Sequence, residues 1–200
     1  QITILHRHMN TIIQNQRKER DELLARHYLM RKSNTDVKTL LDNPMIKLIT
    51  GPRRVGKSTY ALLMLQGKSF AYLNFDDNLL LSAWDEELVM RTLDEVYPNY
   101  EFLLLDEVQN LKDWDVWVSK LYRRGKNLVI TGSNAKMLSG EMATVLTGRY
   151  LQVEMLPFSL TETIEWKGAN INSISNAKQA EAVAIADDYL RNGGYPETID

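Results

Sequence analysis

An eight-residue motif, Gly-Pro-Arg-Arg-Val-Gly-Lys-Ser at residues 51–58, constrains the fold of this chain more than any other feature. It has the form G-x-x-x-x-G-K-[ST], in which consecutive backbone N–H groups curl around an anion. Gly51 and Gly56 allow backbone angles that other residues avoid. Lys57 can reach the β- and γ-phosphates of a nucleotide, and the Ser58 hydroxyl can bind Mg²⁺. The motif predicts a nucleotide site formed by Gly51, Pro52, Arg53, Arg54, Val55, Gly56, Lys57, Ser58 and Thr59.

The residues on either side of this loop are the ones that its mechanism requires. A short β-rich run precedes it at 46–50, and a helical stretch follows at 59–66 and ends near Gly67. A helix that begins at the loop points its partially positive N-terminus at the same phosphates. The order of strand, loop and helix therefore favours a phosphate site over a chance match.

The order of the predicted elements indicates an α/β fold. Helical stretches alternate with short apolar strands, which lie at 46–50, 69–75, 101–105, 128–131 and 149–155. This alternation is typical of a parallel sheet with helices on both faces and with the loops after the strands gathered at one edge. We predict a three-layer P-loop NTPase core at 44–159, preceded by an N-terminal helical segment at 1–43 and followed by the start of a helical lid at 160–200.

The composition is that of an ordinary globular protein with no preference for polyanions. The 200 residues are 44% hydrophobic and 25% charged, with a net charge of −2, so the overall charge does not attract the chain to nucleic acid or an anionic membrane. There is no cysteine and no apolar run of the ~18 residues that a spanning helix needs. We expect a cytoplasmic protein without membrane contact. Because the chain starts with Gln1 and stops at Asp200 after a Gly-Gly turn, we also expect it to be a fragment of a longer protein.

Basic side chains near the N-terminus and in the phosphate loop each have two interpretations. The stretch at 11–32 carries more basic than acidic residues. A solvated helix face is favoured there over a contact with nucleic acid or a partner. In the loop, the backbone of Arg53 and Arg54 serves the phosphates, while their side chains are expected to point outward to salt bridges or a partner.

A second motif, Phe-Leu-Leu-Leu-Asp-Glu at residues 102–107, places two carboxylates at the end of an apolar strand. The strand would deliver Asp106 beside the phosphate loop, where it holds Mg²⁺ together with Ser58. Glu107 can orient or deprotonate a water for attack on the γ-phosphate. We therefore predict Glu107 as the catalytic base and Asp106 as a metal ligand.

A third cluster of small polar residues follows the strand at 128–131. Ser133 or Asn134 could contact the γ-phosphate or the attacking water. This requires that the strand lies between the strand before the phosphate loop and the strand that leads to Asp106. Both residue types also cap helices, and a helix is predicted from Ala135. A sensing role is favoured, and the sequence does not separate Ser133 from Asn134.

Arg149 lies between a predicted helix and the last strand of the predicted sheet. An arginine at the catalytic edge or at a subunit boundary could stabilise transition-state charge, in cis or across a subunit interface. The alternative is a surface arginine whose aliphatic stem packs on the protein. A role in trans would imply a homo-oligomer.

The nucleotide is expected to be ATP. GTPases read guanine with an Asn-Lys-x-Asp loop after a late strand, whereas the strand at 128–131 is followed by Gly-Ser-Asn-Ala-Lys-Met without the aspartate.

The motifs of this chain, in this order, resemble those of predicted prokaryotic AAA+-superfamily ATPases, close to the archaeal-ATPase and signal-transduction NTPase branch. The resemblance extends from about Ile46 to Glu197 and rests on the segments at 51–58, 72–77, 104–109, 131–134, 138–141, 146–150, 156–159 and 193–197. Members usually carry a further C-terminal domain of unsettled role, often likened to nuclease-like folds. That domain is absent from these residues, so a DNA-directed activity is not supported by them.

The resemblance implies a five-stranded sheet in which the strand of Thr131 lies between those of Thr50 and Asp106. It implies Glu107 as the base, Asn134 or Ser133 as the first sensor, and Arg149 at the arginine-finger position. It also implies that residues 189–197 belong to the start of a lid, in which Pro196 lies near the adenine.

These observations predict an AAA+-type ATPase that hydrolyses ATP with Mg²⁺ to drive or switch a conformational change. Its catalytic residues would be Glu107, Lys57, Arg149 and Asn134. The alternative is a nucleotide-gated interaction or signalling protein with little turnover, because the same motifs serve both. A small-molecule kinase is disfavoured by Glu107 and by the lack of an acceptor site. The sequence does not identify the protein partner.

Overall fold

A sheet of five parallel strands forms the centre of the computed structural model, which describes residues 2–28, 31, 36–133, 137, 146–169 and 176–199. The strands are β1 (Ile46–Gly51), β2 (Phe70–Asn74), β3 (Phe102–Asp106), β4 (Asn127–Ser133) and β5 (Tyr150–Glu154). Their spatial order is β2-β3-β4-β1-β5. This order confirms that the strand of Thr131 lies between those of Thr50 and Asp106.

The central strands are buried along almost their whole length, as their apolar sequences predict. Every residue of β1 and β3 is buried, because helices cover both faces of a parallel sheet. The register places Gly51 beside Ser133 and Asn74 beside Asp106. The strand ends that carry the predicted site residues therefore meet at one edge, and the predicted α/β P-loop fold is confirmed.

Helices surround the sheet. Their bounds are α1 (Ile2–Leu24), α2 (Val37–Asp42), α3 (Lys57–Met64), α4 (Asn78–Ser82), α5 (Glu86–Val96), α6 (Trp114–Arg123), α7 (Leu160–Trp166), α8 (Asn176–Asn192) and α9 (Pro196–Ile199). The segment between β2 and β3 contains two separate helices, α4 and α5. The division occurs because the Asp85 side chain accepts a hydrogen bond from the Leu88 N–H and starts a new helix.

Helix α1 docks on the exposed edge of β2 through polar side chains. Gln16 is 2% exposed; its amide donates to the Asn74 carbonyl at 3.1 Å and accepts from the Asn74 N–H at 2.9 Å. Arg20 donates to the Phe70 carbonyl at 2.6 Å, and Arg17 donates to the Val96 carbonyl at 2.7 Å. The Gln16 and Arg20 bonds satisfy backbone groups of the edge strand β2, and the Arg17 bond satisfies the last carbonyl of α5. Two of the basic residues near the N-terminus therefore hold α1 against the core.

Lys47 is a buried lysine that the sequence pattern did not reveal. Lys47 is in the middle of β1 and is 0% exposed. Its ammonium donates to Asn127 Oδ1 at 2.5 Å and lies 5.6 Å from the centre of the Phe102 ring. Burial lowers the pKa of Lys47 from its ordinary 10.5 to about 8, because a buried site disfavours the charged form.

The predicted position of Arg149 at the catalytic edge is wrong. Arg149 precedes β5, and its carbonyl accepts a hydrogen bond from the N–H of Ile46, the first residue of β1, at 2.9 Å. It therefore lies at the N-terminal edge of the sheet, roughly 17 Å from the phosphate loop at a rise of about 3.3 Å per strand residue. Its guanidinium donates to Ser119 Oγ of α6 at 3.1 Å. This geometry excludes a role in cis.

No helix within the described parts of the chain combines the length and the apolar character needed to cross a membrane. Most of the helix predicted from Ala135, together with Asn134, lies outside the described residues.

Candidate functional site

The phosphate loop connects β1 to α3 with backbone angles that match its predicted function. Gly56 has φ 91° and Arg54 has φ 64°, both in the left-handed region. Gly51 is required for a different reason, since a Cβ on it would lie 2.2 Å from the carbonyl oxygen of Met155. The loop therefore turns tightly at its apex and packs closely where it leaves the sheet. Helix α3 begins at Lys57, directly after the loop, so its N-terminus faces the same space.

Asp106 lies at the end of β3 within reach of the loop. It is 3% exposed and accepts hydrogen bonds from Ser58 Oγ at 2.8 Å and from Tyr72 OH at 3.1 Å. The Thr131 hydroxyl also donates to it. Burial raises the pKa of Asp106, against the effect of the Thr131 and Ser58 hydrogen bonds, which lowers it. Burial and Asp106 also raise the pKa of Tyr72. A carboxylate held by three hydroxyls is fixed in direction before any ligand binds.

Glu107 follows in a backbone conformation that few side chains adopt. Its φ of 52° and ψ of 40° lie in the left-handed region, which costs energy for a residue other than glycine. Its N–H donates to Thr131 Oγ1 at 3.0 Å. Thr131 thus orients both acidic residues, one through the side chain and one through the backbone. The turn at Glu107 directs its carboxylate toward the phosphate loop.

The Glu107 carboxylate lies between two partners. Its Oε1 is 3.5 Å from Lys57 Nζ, and its Oε2 accepts a hydrogen bond from Gln109 Nε2 at 2.5 Å. Lys57 also donates to the Pro52 carbonyl at 2.9 Å, across the loop. The main phosphate counter-charge and the predicted base are therefore in the same place, and both are nearly buried, with side-chain exposures of 3% and 14%.

A cleft of about 500 Å³ opens in front of the phosphate loop. The loop and α3 form one wall. The segment after α1 and the region from Phe158 onward form the others. The lining residues outside the loop and α3 are His27, Tyr28, Arg31, Glu107, Phe158, Trp166, Pro196, Glu197 and Ile199. His27 and Trp166 stack with ring centres 6.3 Å apart, which brings the N-terminal segment and the lid together at this end.

The segment predicted to form the lid contacts the loop and the connector that leads into α7. Arg54 Nη1 lies 3.0 Å from Glu197 Oε2 of α9. The Phe158 N–H donates to the Gly194 carbonyl at 2.6 Å, and Tyr189 OH donates to the Phe158 carbonyl at 2.8 Å. A side chain at position 194 would meet the Phe158 carbonyl at 2.0 Å. The lid therefore approaches the core closely at a glycine.

The structure brings most of the predicted site residues together. Ser133 ends β4 beside Gly51, at 8% exposure, and Pro196 lines the cleft. Arg53 is exposed, and Arg54 forms a salt bridge with Glu197, which also lines the cleft. Asn134 lies outside the described residues, and Arg149 is at the opposite edge of the sheet. The roles assigned to these residues stay predictions.

Other site residues were missed by the sequence analysis, although some fall in quoted segments. Tyr72, Gln109 and Thr131 occur within the segments at 72–77, 104–109 and 131–134, but nothing in those patterns gave them a role. The alternation of β2 and β3 in a parallel sheet could have placed Tyr72 near Asp106. His27 and Arg31 had no signal, because their contacts depend on how the N-terminal segment folds back over the loop.

The residues present fit Mg²⁺. A hydroxyl and a carboxylate, Ser58 and Asp106, lie side by side at 2.8 Å, and Mg²⁺ prefers oxygen ligands. Within the described residues, no group of three or more His, Cys, Asp or Glu could hold a metal. Phosphate oxygens and water would therefore supply the other ligands, as is usual for Mg²⁺ at nucleotide sites.

The fold and the cleft define the P-loop nucleotide-binding class. A family model described as an AAA domain matches residues 43–164. The chain belongs to this AAA family, which confirms the resemblance found in the sequence.

Two relatives extend the similarity beyond the family model. An uncharacterised protein of Methanocaldococcus jannaschii is 36% identical over 170 residues, covering 82% of this chain and 38% of the relative. An uncharacterised protein of Haemophilus influenzae is 32% identical over 170 residues, covering 79% of this chain and 41% of the relative. The chain thus spans about two fifths of the length of these relatives.

Solved structures share the architecture at low sequence identity. The replication initiator DnaA bound to AMPPCP and single-stranded DNA has a TM-score of 0.55 and 16% identity, over 86% of this chain and 60% of that chain. The Saccharomyces cerevisiae Hsp104–ADP complex has a TM-score of 0.54 and 17% identity, over 93% of this chain and 29% of that chain. At this identity the likeness shows the AAA+ fold alone.

Proposed function

We propose that this chain binds ATP with Mg²⁺ and hydrolyses it to drive or switch a conformational change. The observation that carries the proposal is the position of Glu107 beside the phosphate loop, with its carboxylate 3.5 Å from Lys57 Nζ. A carboxylate so close to the main phosphate counter-charge can reach a water on the γ-phosphate. The nucleotide-bound AAA+ neighbours support ATP as the ligand.

The roles that we propose for the residues agree with their positions. The N–H groups of the loop and Lys57 bind the β- and γ-phosphates, while Ser58 and Asp106 would hold Mg²⁺, which neutralises charge on the phosphates when bound. Glu107 accepts a proton from a water molecule while the oxygen of that water bonds to the γ-phosphorus. The bond from that phosphorus to the bridging oxygen breaks, and ADP and inorganic phosphate result. Either Ser133, at the end of β4, or Asn134 contacts the γ-phosphate or the water.

A second candidate is a nucleotide-gated switch with little turnover. It is favoured by the Arg54–Glu197 ion pair and by the hydrogen bond between Phe158 and Gly194. Both link the lid to the region of the phosphate loop, so a bound nucleotide can change the position of the lid without being hydrolysed. The two candidates share the site and differ only in rate.

The test separates binding from turnover. Binding of a fluorescent ATP analogue with Mg²⁺ and release of phosphate are measured for wild type, Lys57→Ala and Glu107→Gln. Lys57→Ala is expected to abolish binding or turnover. Glu107→Gln is expected to keep binding and lose about 10²–10⁴-fold in turnover, the usual contribution of a general base. Equal turnover by wild type and Glu107→Gln refutes the role of Glu107, and binding without turnover in wild type favours the switch.

Arg149 remains a proposal for action in trans. The N-terminal edge of the sheet is the wrong place for contact with the nucleotide of the same subunit, so an arginine finger here requires a homo-oligomer. A mixture of Arg149→Ala and Lys57→Ala subunits then regains part of the wild-type activity, because some interfaces contain an intact Lys57 and an intact Arg149. If Arg149→Ala alone turns over ATP at the wild-type rate, Arg149 is a surface arginine and the role in trans is refuted.

The whole protein's partner and compartment are also proposals. We place it in the cytoplasm, with a protein partner that the described residues do not identify. The division into segments at 1–43, 44–159 and 160–200 is likewise proposed.

A further inference from the structure

Arg31 lies outside the residues matched by the family model, yet it joins three parts of the nucleotide site. It belongs to the segment after α1, lines the cleft, and its side chain is only 12% exposed. Its Nε donates to Glu162 Oε1 at 3.0 Å, and its Nη2 donates to the carbonyls of Leu156 at 2.8 Å and Pro157 at 3.3 Å. The guanidinium also lies 4.1 Å from the centre of the Phe158 ring.

The contact that links Arg31 to the chemistry is made with the phosphate loop. Its Nη1 donates to the carbonyl oxygen of Val55 at 3.4 Å. That oxygen belongs to the same peptide group as the N–H of Gly56, and the carbonyl and N–H of a trans peptide point in opposite directions. No cis peptide occurs among the described residues. With the carbonyl turned toward Arg31, the Gly56 N–H points away from it, and this loop binds phosphates through such N–H groups.

The other end of Arg31 is held rigidly. Glu162 is in the first turn of α7, where its carboxylate accepts hydrogen bonds from the Ser159 N–H and hydroxyl at 2.9 and 3.0 Å. Burial raises the pKa of Glu162, but the hydrogen bonds from Ser159 and the ion pair with Arg31 outweigh it, so the pKa is lowered. Glu162 is therefore a fixed anion that holds the guanidinium in one orientation.

We infer that Arg31 is a positioning residue for nucleotide binding, which fixes the Val55–Gly56 peptide against the base of the lid. This inference rests on the proposed binding of ATP and adds the N-terminal segment to the site. Four of the five N–H donors of a guanidinium are engaged with the protein. Arg31 thus acts through the loop and makes no required contact with the nucleotide.

The experiment measures the Kd of a fluorescent ATP analogue with Mg²⁺ and the KM and kcat of ATP hydrolysis. Wild type is compared with Arg31→Met, Arg31→Lys and Glu162→Gln. Glutamine at position 162 keeps the capping arrangement with Ser159 but removes the charge. Arg26→Met is the matched control, since Arg26 lies in the same segment and is exposed. Melting temperatures without nucleotide show whether each variant is folded.

We expect Kd and KM to rise about tenfold to hundredfold in Arg31→Met, the effect of losing one charge-assisted hydrogen bond, while kcat at saturating ATP changes less than about twofold. Arg31→Lys and Glu162→Gln should raise Kd and KM by less, and Arg26→Met should leave both unchanged. The effects of Arg31→Met and Glu162→Gln on the free energy of binding should be less than additive when the two are combined.

Tight binding by wild type and Arg31→Met alike overturns the inference and leaves the proposed function intact. If Arg31→Met does not fold, unchanged Kd in Arg31→Lys and Glu162→Gln overturns it. Absence of binding by wild type overturns both.

Discussion

Replacement of the buried Lys47 by methionine is expected to stabilise this protein at neutral pH. The ammonium is 0% exposed in the central strand β1, and its pKa falls from 10.5 to about 8. This difference corresponds to about 3 kcal/mol, because one pKa unit equals about 1.4 kcal/mol. Methionine has a similar length and no charge to desolvate. It loses the hydrogen bond to Asn127, so we expect a net gain of about 2 kcal/mol at pH 7.

The pH dependence gives the sharper test. Between pH 8 and 10.5 the unfolded state binds more protons at Lys47 than the folded state does, so stability increases with pH in this window. The wild-type free energy of unfolding should rise by about 1.3 kcal/mol between pH 7 and 9 from this residue alone. Burial raises the pKa of Tyr97 to about 12. Tyr97 therefore opposes the increase of stability with pH only above its ordinary pKa of 10, because there the tyrosine ionises in the unfolded state first.

The assay is urea unfolding followed by tryptophan fluorescence at pH 7, 8 and 9. Lys38→Met is the control, because Lys38 is exposed and should show no such effect. The stability difference between Lys47→Met and wild type should decrease as pH rises. A Lys47→Met variant that is less stable than wild type at pH 7, with a difference independent of pH, would show that the hydrogen bond to Asn127 compensates for burial and would refute the reasoning.

Two further changes test the geometry around the site. Gly51→Ala is expected to lower the free energy of unfolding by roughly 3 kcal/mol or more in chemical unfolding, because its Cβ would lie 2.2 Å from the Met155 carbonyl. The control is Gly67→Ala, at φ +80° with nothing within 4 Å, which should lower it by only about 1 kcal/mol. Equal losses of stability would contradict the close approach at Gly51. Thr131→Val removes a hydroxyl that donates to the buried Asp106 and accepts from a backbone N–H, so it should lower both the melting temperature and kcat, the latter by about tenfold or more; unchanged hydrolysis would mean that the two acidic residues do not need this hydroxyl.

The sequence was most informative where one local pattern implies one structure. The phosphate loop specifies its own strand, turn and helix, and the apolar run before Asp106 specifies a buried parallel strand. From these two segments the edge that carries the site and the partnership of Ser58 with Asp106 could be predicted, while the sheet was predicted from the alternation of helices and strands along the chain. These predictions succeeded because each of these features depends on contacts within a few residues or on the general rule that parallel strands end at the same edge.

The sequence was less informative for residues whose role depends on orientation or on a distant partner. Arg149 follows a predicted helix and precedes a strand, and the direction of that strand in the sheet decides which edge Arg149 occupies. The edge follows once β5 is known to run parallel to β1, since a residue before a parallel strand lies opposite the residues after one. The correction thus came from the register of Ile46 with Tyr150.

The sequence by itself determined the class of this protein, its phosphate loop and the carboxylates that face it, because these features are written in short segments with their own geometry. Only the tertiary structure decided which residues complete the site. Thr131 joins Asp106 to Glu107, and Arg31 joins the loop to Glu162, across 25 and 131 residues of chain. Such pairs meet only when the whole core has packed, so neither partner carries a local signal of the other.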